Sequence, residues 1–209
     1  MMNSDIVILQ PDDLNEASEI LVRAFNNDPM FGYLGIKVEE GRSLVDTDAL
    51  RSFVDLILRN CQPYNSVYTI TGDRSGVAVW VPPGKSEMST WQFLLMLSIF
   101  YWKYGWERTK RCWILFSSLD KRHRQEIDEP HWMLSLLGVA PSDRGRGIGS
   151  LLLQPVLQQA DREGLSCYLS TFNERAVSFY QKHGFAILWQ GELSKNSPCI
   201  WTMKRKPQF

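Results

Sequence analysis

Histidine is scarce in this chain, three residues in 209, and the four cysteines stand far apart. Cys61, Cys112, Cys167 and Cys199 form no C-x-x-C pair, and His123, His131 and His183 add no metal-ligand spacing, so neither a metal site nor a disulfide framework is expected. Buried, reduced thiols are the simpler reading. An excess of one charge is missing as well: 23 Lys and Arg balance 23 Asp and Glu. A nucleic-acid binder usually carries a basic excess, because phosphate neutralisation supplies most of its affinity. Long apolar runs are also lacking. The most apolar stretch is Trp91 to Trp106, and its charge-free part, Phe93 to Trp102, is roughly half of the ~20 residues that span a bilayer. A buried or partly exposed helix is expected there, with an interfacial or lid helix as the alternative. Met1 to Asp5 shows neither the basic start nor the apolar run of a signal peptide. These absences favour a cytoplasmic location with no nucleic-acid, membrane or metal partner. The length suits one domain, residues 1–209, with a full core. The chain is expected to be a monomer or homodimer.

The pattern begins with a short strand at Ile6 to Leu9, followed by a helix carrying Leu14, Ala17, Ile20, Leu21, Ala24 and Phe25 at helical spacing. Asn26, Asn27, Asp28 and Pro29 end it. A second amphipathic helix is expected from Thr47 to Arg59. Val67 to Thr71 and Val77 to Val81 form a strand pair around Gly72 to Gly76, and Pro82-Pro83-Gly84 stops the second strand. Residues 90–128 have a helical pattern throughout, and the basic run Lys121 to Arg124 within it is expected to be a solvated face. Strand and helix then alternate: Trp132 to Val139, Gly147 to Glu163, Leu165 to Leu169, Glu174 to His183, Phe185 to Gln190 and Ile200 to Met203. Pro155 interrupts one backbone bond of its helix and predicts a kink.

The informative segment is Val139-Ala140-Pro141-Ser142-Asp143-Arg144-Gly145-Arg146-Gly147-Ile148-Gly149-Ser150. Three glycines let the backbone approach a ligand, and the unpartnered N–H groups of a first helical turn suit a pyrophosphate. Arg144 and Arg146 add positive charge. A P-loop would need Gly-Lys-Ser/Thr after the glycines, and no lysine is present. A dinucleotide fingerprint would need G-x-G-x-x-G and an acid about 20 residues on, where this chain has Leu169-Ser170-Thr171. A flexible glycine turn that binds nothing is the bland alternative.

Arg144 to Gly149, R-x-x-G-x-G, resembles the acyl-CoA pyrophosphate signature of the GNAT acetyltransferase superfamily. Asn173 to Phe185, N-x-x-A-x-x-F-Y-x-x-x-G-F, resembles the second GNAT signature. "AFNNDP", "VAVWVPPGK" and "HWMLSLLGVAPSDRGRGIGSLLL" together look like the puromycin N-acetyltransferase-type branch. The resemblance implies an α/β (α+β) GNAT fold: a mixed, twisted central sheet of about seven strands, with splayed fourth and fifth strands and flanking helices. It implies acetyl-CoA as cosubstrate, and an N-acetyltransferase that passes the acetyl group directly to an amine.

Carried over, Leu137, Gly138, Val139, Arg144, Gly145, Arg146, Gly147, Ile148, Gly149, Ser150, Asn173, Ala176 and Phe179 would contact the cosubstrate. Tyr180 would be the catalytic acid that protonates the departing thiolate. The base is unassigned: the branch implies Glu at the position of Ser170, and this chain lacks it. His131, Met133, Ser135, Leu137 and Val139 share one strand face, yet Met133 cannot act as a base and His131 lies far from the splay. Acceptor specificity is expected from Phe25 to Tyr33, Trp80 to Lys85 and the aromatic helix from Trp91. A small-molecule amine is the leading acceptor. A protein or peptide amine and a non-catalytic acyl-CoA sensor are the alternatives.

Overall fold

The computed structural model describes residues 6–35, 37–39, 42–44, 46–71 and 75–208. The elements run β1 (Ile6–Ile8), α1 (Leu14–Phe25), α2 (Pro29–Leu34), β2 (Lys37–Glu39), β3 (Arg42–Leu44), α3 (Thr47–Cys61), β4 (Val67–Ile70), β5 (Gly76–Val81), α4 (Thr90–Tyr104), α5 (Trp106–Glu126), β6 (His131–Val139), α6 (Ile148–Glu163), β7 (Ser166–Thr171), α7 (Glu174–Lys182), β8 (Ala186–Glu192) and β9 (Cys199–Arg205). Seven strands form one mixed sheet in the order β1-β4-β5-β6-β7-β9-β8, and β2 and β3 pair separately. Every pair in the main sheet is antiparallel except β6 with β7. These are the fourth and fifth strands of the main sheet in chain order, as expected. The expected turn residues Gly72 to Arg74, and the start Met1 to Asp5, lie outside the described residues.

Sequence pattern explains why the sheet is covered on both faces. All six residues of β5 are buried, and they alternate between two cores. Val77, Val79 and Val81 pack with Leu21 of α1 and with Leu50, Val54, Ile57 and Leu58 of α3. Ala78 and Trp80 pack with Leu152, Leu153 and Val156 of α6. Burying each of these aliphatic side chains stabilises the fold by about 2 kcal/mol before entropy is counted. A third cluster joins α4 and α5 to Leu34, Phe172 and Ile200. Gly138 lets α1 lie close to β6: a Cβ there would come within 2.7 Å of Leu21 Cδ2 and 2.9 Å of Ala24 Cβ.

Two boundaries depart from the sequence pattern. Residues 90–128 are two helices, because Gly105 adopts φ +80 and breaks the run. Asn26 to Pro29 does end α1, yet it also starts α2: the Asp28 carboxylate accepts from Met30 N at 2.9 Å and Pro29 occupies the first turn. Pro155 sits inside α6 as expected.

Ser89 caps α4 with a reciprocal box, accepting from Gln92 N while the Gln92 side chain accepts from Ser89 N at 2.9 Å. Ser89→Ala is expected to cost about 1 kcal/mol. A thermal melt checks this, with the midpoint falling by about 3 °C.

Candidate active site

The turn from β6 into α6 forms an open backbone cradle. Gly145 and Gly147 both adopt φ +81, and a Cβ added at either would meet nothing within 4 Å. The left-handed conformation calls for glycine, and the space above the backbone is open. Gly147 is the N-cap of α6 and supplies no side-chain cap, so the first-turn amides face outward with the positive end of the helix dipole behind them. Gly149 approaches α7 instead: its missing Cβ would stand 3.2 Å from Phe179 Cζ. Arg144 donates to the carbonyl of Ala24 at 2.9 Å and, more weakly, to that of Val139 at 3.4 Å, tying the turn to α1 and β6. Arg146 departs from expectation: it is ion-paired with Asp143 at 2.6 Å and stands outside the cavity described next.

A continuous cavity of about 1860 Å³ starts at this turn. It is lined by Leu137, Gly138, Val139, Arg144, Gly145, Gly147, Ile148, Gly149, Ser150, Asn173, Ala176, Phe179 and Tyr180. Every expected site residue except Arg146 is therefore brought together. The side chain of Ile148 itself is core, leaving its backbone to face the turn.

Strand register explains how the cavity enters the sheet. The parallel pairing of β6 with β7 runs from His131↔Ser166 to Leu134↔Leu169 and stops there, although β6 continues to Val139. On its other side β6 has a bulge: Val79 pairs with Leu136 and Trp80 with Leu134, so Ser135 pairs with neither neighbour. Bulges re-aim side chains, and Ser135 stands where the two strands separate. Burial along β6 alternates strictly, leaving His131, Met133, Ser135, Leu137 and Val139 on the more open face, as the strand period predicts.

Asn173 caps α7, accepting from Arg175 N at 3.0 Å, and Gly184 ends it at φ +86. On this helix Tyr180 is buried, packed edge-on against Phe179 and Phe185. Among the described residues its hydroxyl has no hydrogen-bond partner, and it lines the cavity. Burial pushes the phenol well above its usual range, and the nearby Asp28 carboxylate adds to this. The group therefore keeps its proton at any pH where activity would be measured.

A second carboxylate was not singled out by sequence. Glu87, in the connection from β5 to α4, accepts a short hydrogen bond from Ser135 Oγ. Part of its surface opens to the cavity, but protein surrounds its carboxyl, and this desolvation holds the pKa above the usual carboxylate range despite the Ser135 bond. Its main chain is pinned by Asn60 Nδ2, which donates to the Glu87 carbonyl at 2.9 Å, and Asn60 is held in turn by Gln92 at 2.8 Å.

Residues 98–185, which include both signatures, match the model of the acetyltransferase (GNAT) family. An uncharacterized N-acetyltransferase of Schizosaccharomyces pombe is 26% identical over 185 residues, covering 85% of this chain and 72% of the relative. By these two matches the chain is similar to GNAT acetyltransferases. A probable serine/threonine-protein kinase of Dictyostelium discoideum is 24% identical over 223 residues and covers 96% of this chain, which spans 23% of that relative's length. The fold is shared with the crystal structure titled histone acetyltransferase HPA2 and related acetyltransferase from Corynebacterium glutamicum, at TM-score 0.70 and 23% identity, covering 100% of this chain and 98% of the other. It is shared also with arylalkylamine N-acetyltransferase 2 from Aedes aegypti, at TM-score 0.68 and 12% identity, covering 99% and 100%.

Several other titratable side chains are engaged elsewhere. His131 bonds His123, Nε2 to Nε2 at 2.7 Å, and its Nδ1 donates to the Glu129 carbonyl at 2.7 Å. His123 is stacked on Tyr168 and lowered to about 4, first by burial and then by His131, so it stays neutral. Glu129 pairs with Lys204 at 2.8 Å. Arg205 is buried in a two-pronged pair with Asp161, at 2.7 and 2.8 Å. In the run from Lys121, Arg122 lies 3.6 Å over the Trp189 ring and Arg124 pairs with Asp120. Among the described residues no cluster of three or more His, Cys, Asp or Glu is placed to hold a metal ion, and no helix is long and apolar enough to cross a membrane.

Proposed function

We propose that this chain is an N-acetyltransferase that moves an acetyl group from acetyl-CoA to a primary amine of a small molecule. One observation carries the reading: a single cavity joins the uncapped glycine turn of α6, the opening between β6 and β7, and Tyr180. The turn fits a diphosphate, because its amides are outward-facing and the space over Gly145 and Gly147 is empty. Bound there, acetyl-CoA supplies the activated acyl carbon. Backbone groups of β6 beyond Leu134 have no partner in β7, so they are available to hold the pantetheine arm and to polarise the thioester carbonyl. The balance is simple: the amine nitrogen–carbon bond forms, the carbon–sulfur bond breaks, the amine gives up a proton and the sulfur gains one. Tyr180 holds a hydrogen-bonding proton toward the departing sulfur. Within the family, "AFNNDP" and "VAVWVPPGK" support the puromycin-type branch.

Thiol release from acetyl-CoA over a panel of small amines and peptides tests the reading. Release with small amines is expected, and coenzyme A binding without turnover on any amine would make the chain a sensor instead. Arg144→Ala is expected to raise the KM for acetyl-CoA about fivefold, one charge-assisted contact being worth about 1 kcal/mol at an exposed site. An unchanged KM would restrict Arg144 to tying the turn to α1.

A further inference from the structure

Beyond the opening between β6 and β7, the cavity has a wall of six aromatic side chains in sequence. Phe25 meets Phe31 at a centroid distance of 6.4 Å, Phe31 meets Phe53 at 5.7 Å, and Phe53 meets Phe116 at 5.7 Å. Phe116 meets Phe93 at 6.2 Å, and Phe93 stacks on Trp113 at 5.8 Å. All six line the cavity, yet they come from α1, α2, α3, α4 and α5, so only the tertiary fold assembles them. Glu87 lies in the same lining, and its carboxyl is bonded to Ser135 where β6 leaves β7.

We propose that Glu87 and this aromatic wall form the acceptor subsite, and that it selects a primary amine with one positive charge and an aromatic or similarly apolar body. The inference rests on the transfer reading above and adds the acceptor's chemistry to it. The ammonium group sits at Glu87, which takes its proton so that the neutral nitrogen can attack, while the body lies along the phenyl rings. The rings offer a carbon skeleton a continuous apolar surface. Asp120, a carboxylate lining the cavity outside the Glu87 region, is already paired with Arg124 at 3.0 Å. A second ammonium at Asp120 would thus lose its hydration without gaining a free anion. Asp28 also lines the cavity, but it lies toward Tyr180, with one oxygen engaged by Met30 N.

The groups that set the behaviour of Glu87 come from two elements, β6 and α3. Ser135 of β6 donates to it; Cys61 of α3 is a buried thiol pushed up to about 12 by burial and by Glu87 itself; and Asn60 of α3 holds its main chain. Cys61 therefore stays neutral and does not oppose the carboxylate. Because desolvation raises Glu87, its basic form is lost on acidification at a pH above the usual carboxylate range. The acid limb of kcat/KM follows it.

The test is calorimetric titration of 2-phenylethylamine, and separately of spermidine, into the full chain saturated with coenzyme A, followed by kcat/KM for both amines. Expected are tighter binding and an at least tenfold higher kcat/KM for 2-phenylethylamine. Glu87→Gln should weaken 2-phenylethylamine binding at least tenfold and remove the acid limb, with coenzyme A affinity unchanged. Ser135→Ala, a milder change to the residue that positions the carboxyl, should shift the acid limb even where Glu87→Gln does not fold. Preference for spermidine, no binding of 2-phenylethylamine, or an unmoved acid limb in both variants overturns the inference while leaving acetyl transfer intact. Failure of the wild-type chain to bind coenzyme A overturns the transfer reading itself.

Discussion

Tyr180→Phe is expected to lower kcat about 100-fold while leaving the KM for acetyl-CoA within about twofold, the range for losing one positioned proton donor. The argument begins with packing. Phenylalanine keeps the ring, so the contacts with Phe179 at 5.2 Å and Phe185 at 5.9 Å survive. Among the described residues the hydroxyl has no hydrogen-bond partner, so its removal leaves no other group orphaned and the melting temperature should not move. What disappears is the phenolic proton of a residue that lines the cavity. Burial, reinforced by Asp28, holds that proton on the phenol throughout the working pH range. A phenol so held stabilises negative charge on sulfur by donating a hydrogen bond to it, a contribution made mainly in the transition state, and the loss therefore falls on kcat. Steady-state kinetics, with a single-turnover measurement to isolate the chemical step, check the outcome. Full kcat in the variant would leave Tyr180 a packing residue.

How much of this was legible beforehand depends on the range of the interactions involved. The cradle was legible because glycine marks positive φ locally: Gly145, Gly147 and Gly184 all adopt it. The open face of β6 was legible because side chains alternate with period two, from His131 to Val139. The splay could be expected only through the resemblance, since the end of the pairing at Leu134↔Leu169 is a relation between strands 35 residues apart. The bulge at Ser135 left no trace, as it exists only against β5. Glu87 was missed for the same reason: its carboxyl meets Ser135 across 48 positions of sequence. A local signal did exist. Pro82-Pro83-Gly84 ends a strand, and Ser89 with Gln92 three residues later announces a helix. A lone glutamate in a short connection between those marks stands at a strand's end, where the fold delivers residues to the site. The break at Gly105 was misjudged because apolar periodicity passes across it, whereas its φ of +80 does not belong to a helix.

Gly147→Val is expected to raise the KM for acetyl-CoA about 100-fold, with kcat at saturation changed far less. Two causes act together. A β-branched residue is poorly tolerated at φ +81, and holding it there costs about 2 kcal/mol, so the start of α6 relaxes and its amides lose their alignment. The branched side chain also projects into space that is empty within 4 Å, where the phosphates would lie. Losing alignment of two charge-assisted amide contacts, each worth roughly 1.5 kcal/mol, corresponds to about two orders of magnitude in affinity. A destabilised fold alone would give a different result. It would lower the melting temperature by a few degrees without abolishing the rise that coenzyme A produces in the wild type, because that rise measures affinity through mass action. The decisive comparison is therefore the thermal shift by coenzyme A in Gly147→Val, set beside Gly32→Ala as a control. Gly32 also has open space around it, but it lies inside α2 and does not line the cavity. A full ligand-induced shift in Gly147→Val would mean that the first turn of α6 does not hold the diphosphate, and the assignment of the cavity to acetyl-CoA would fall with it.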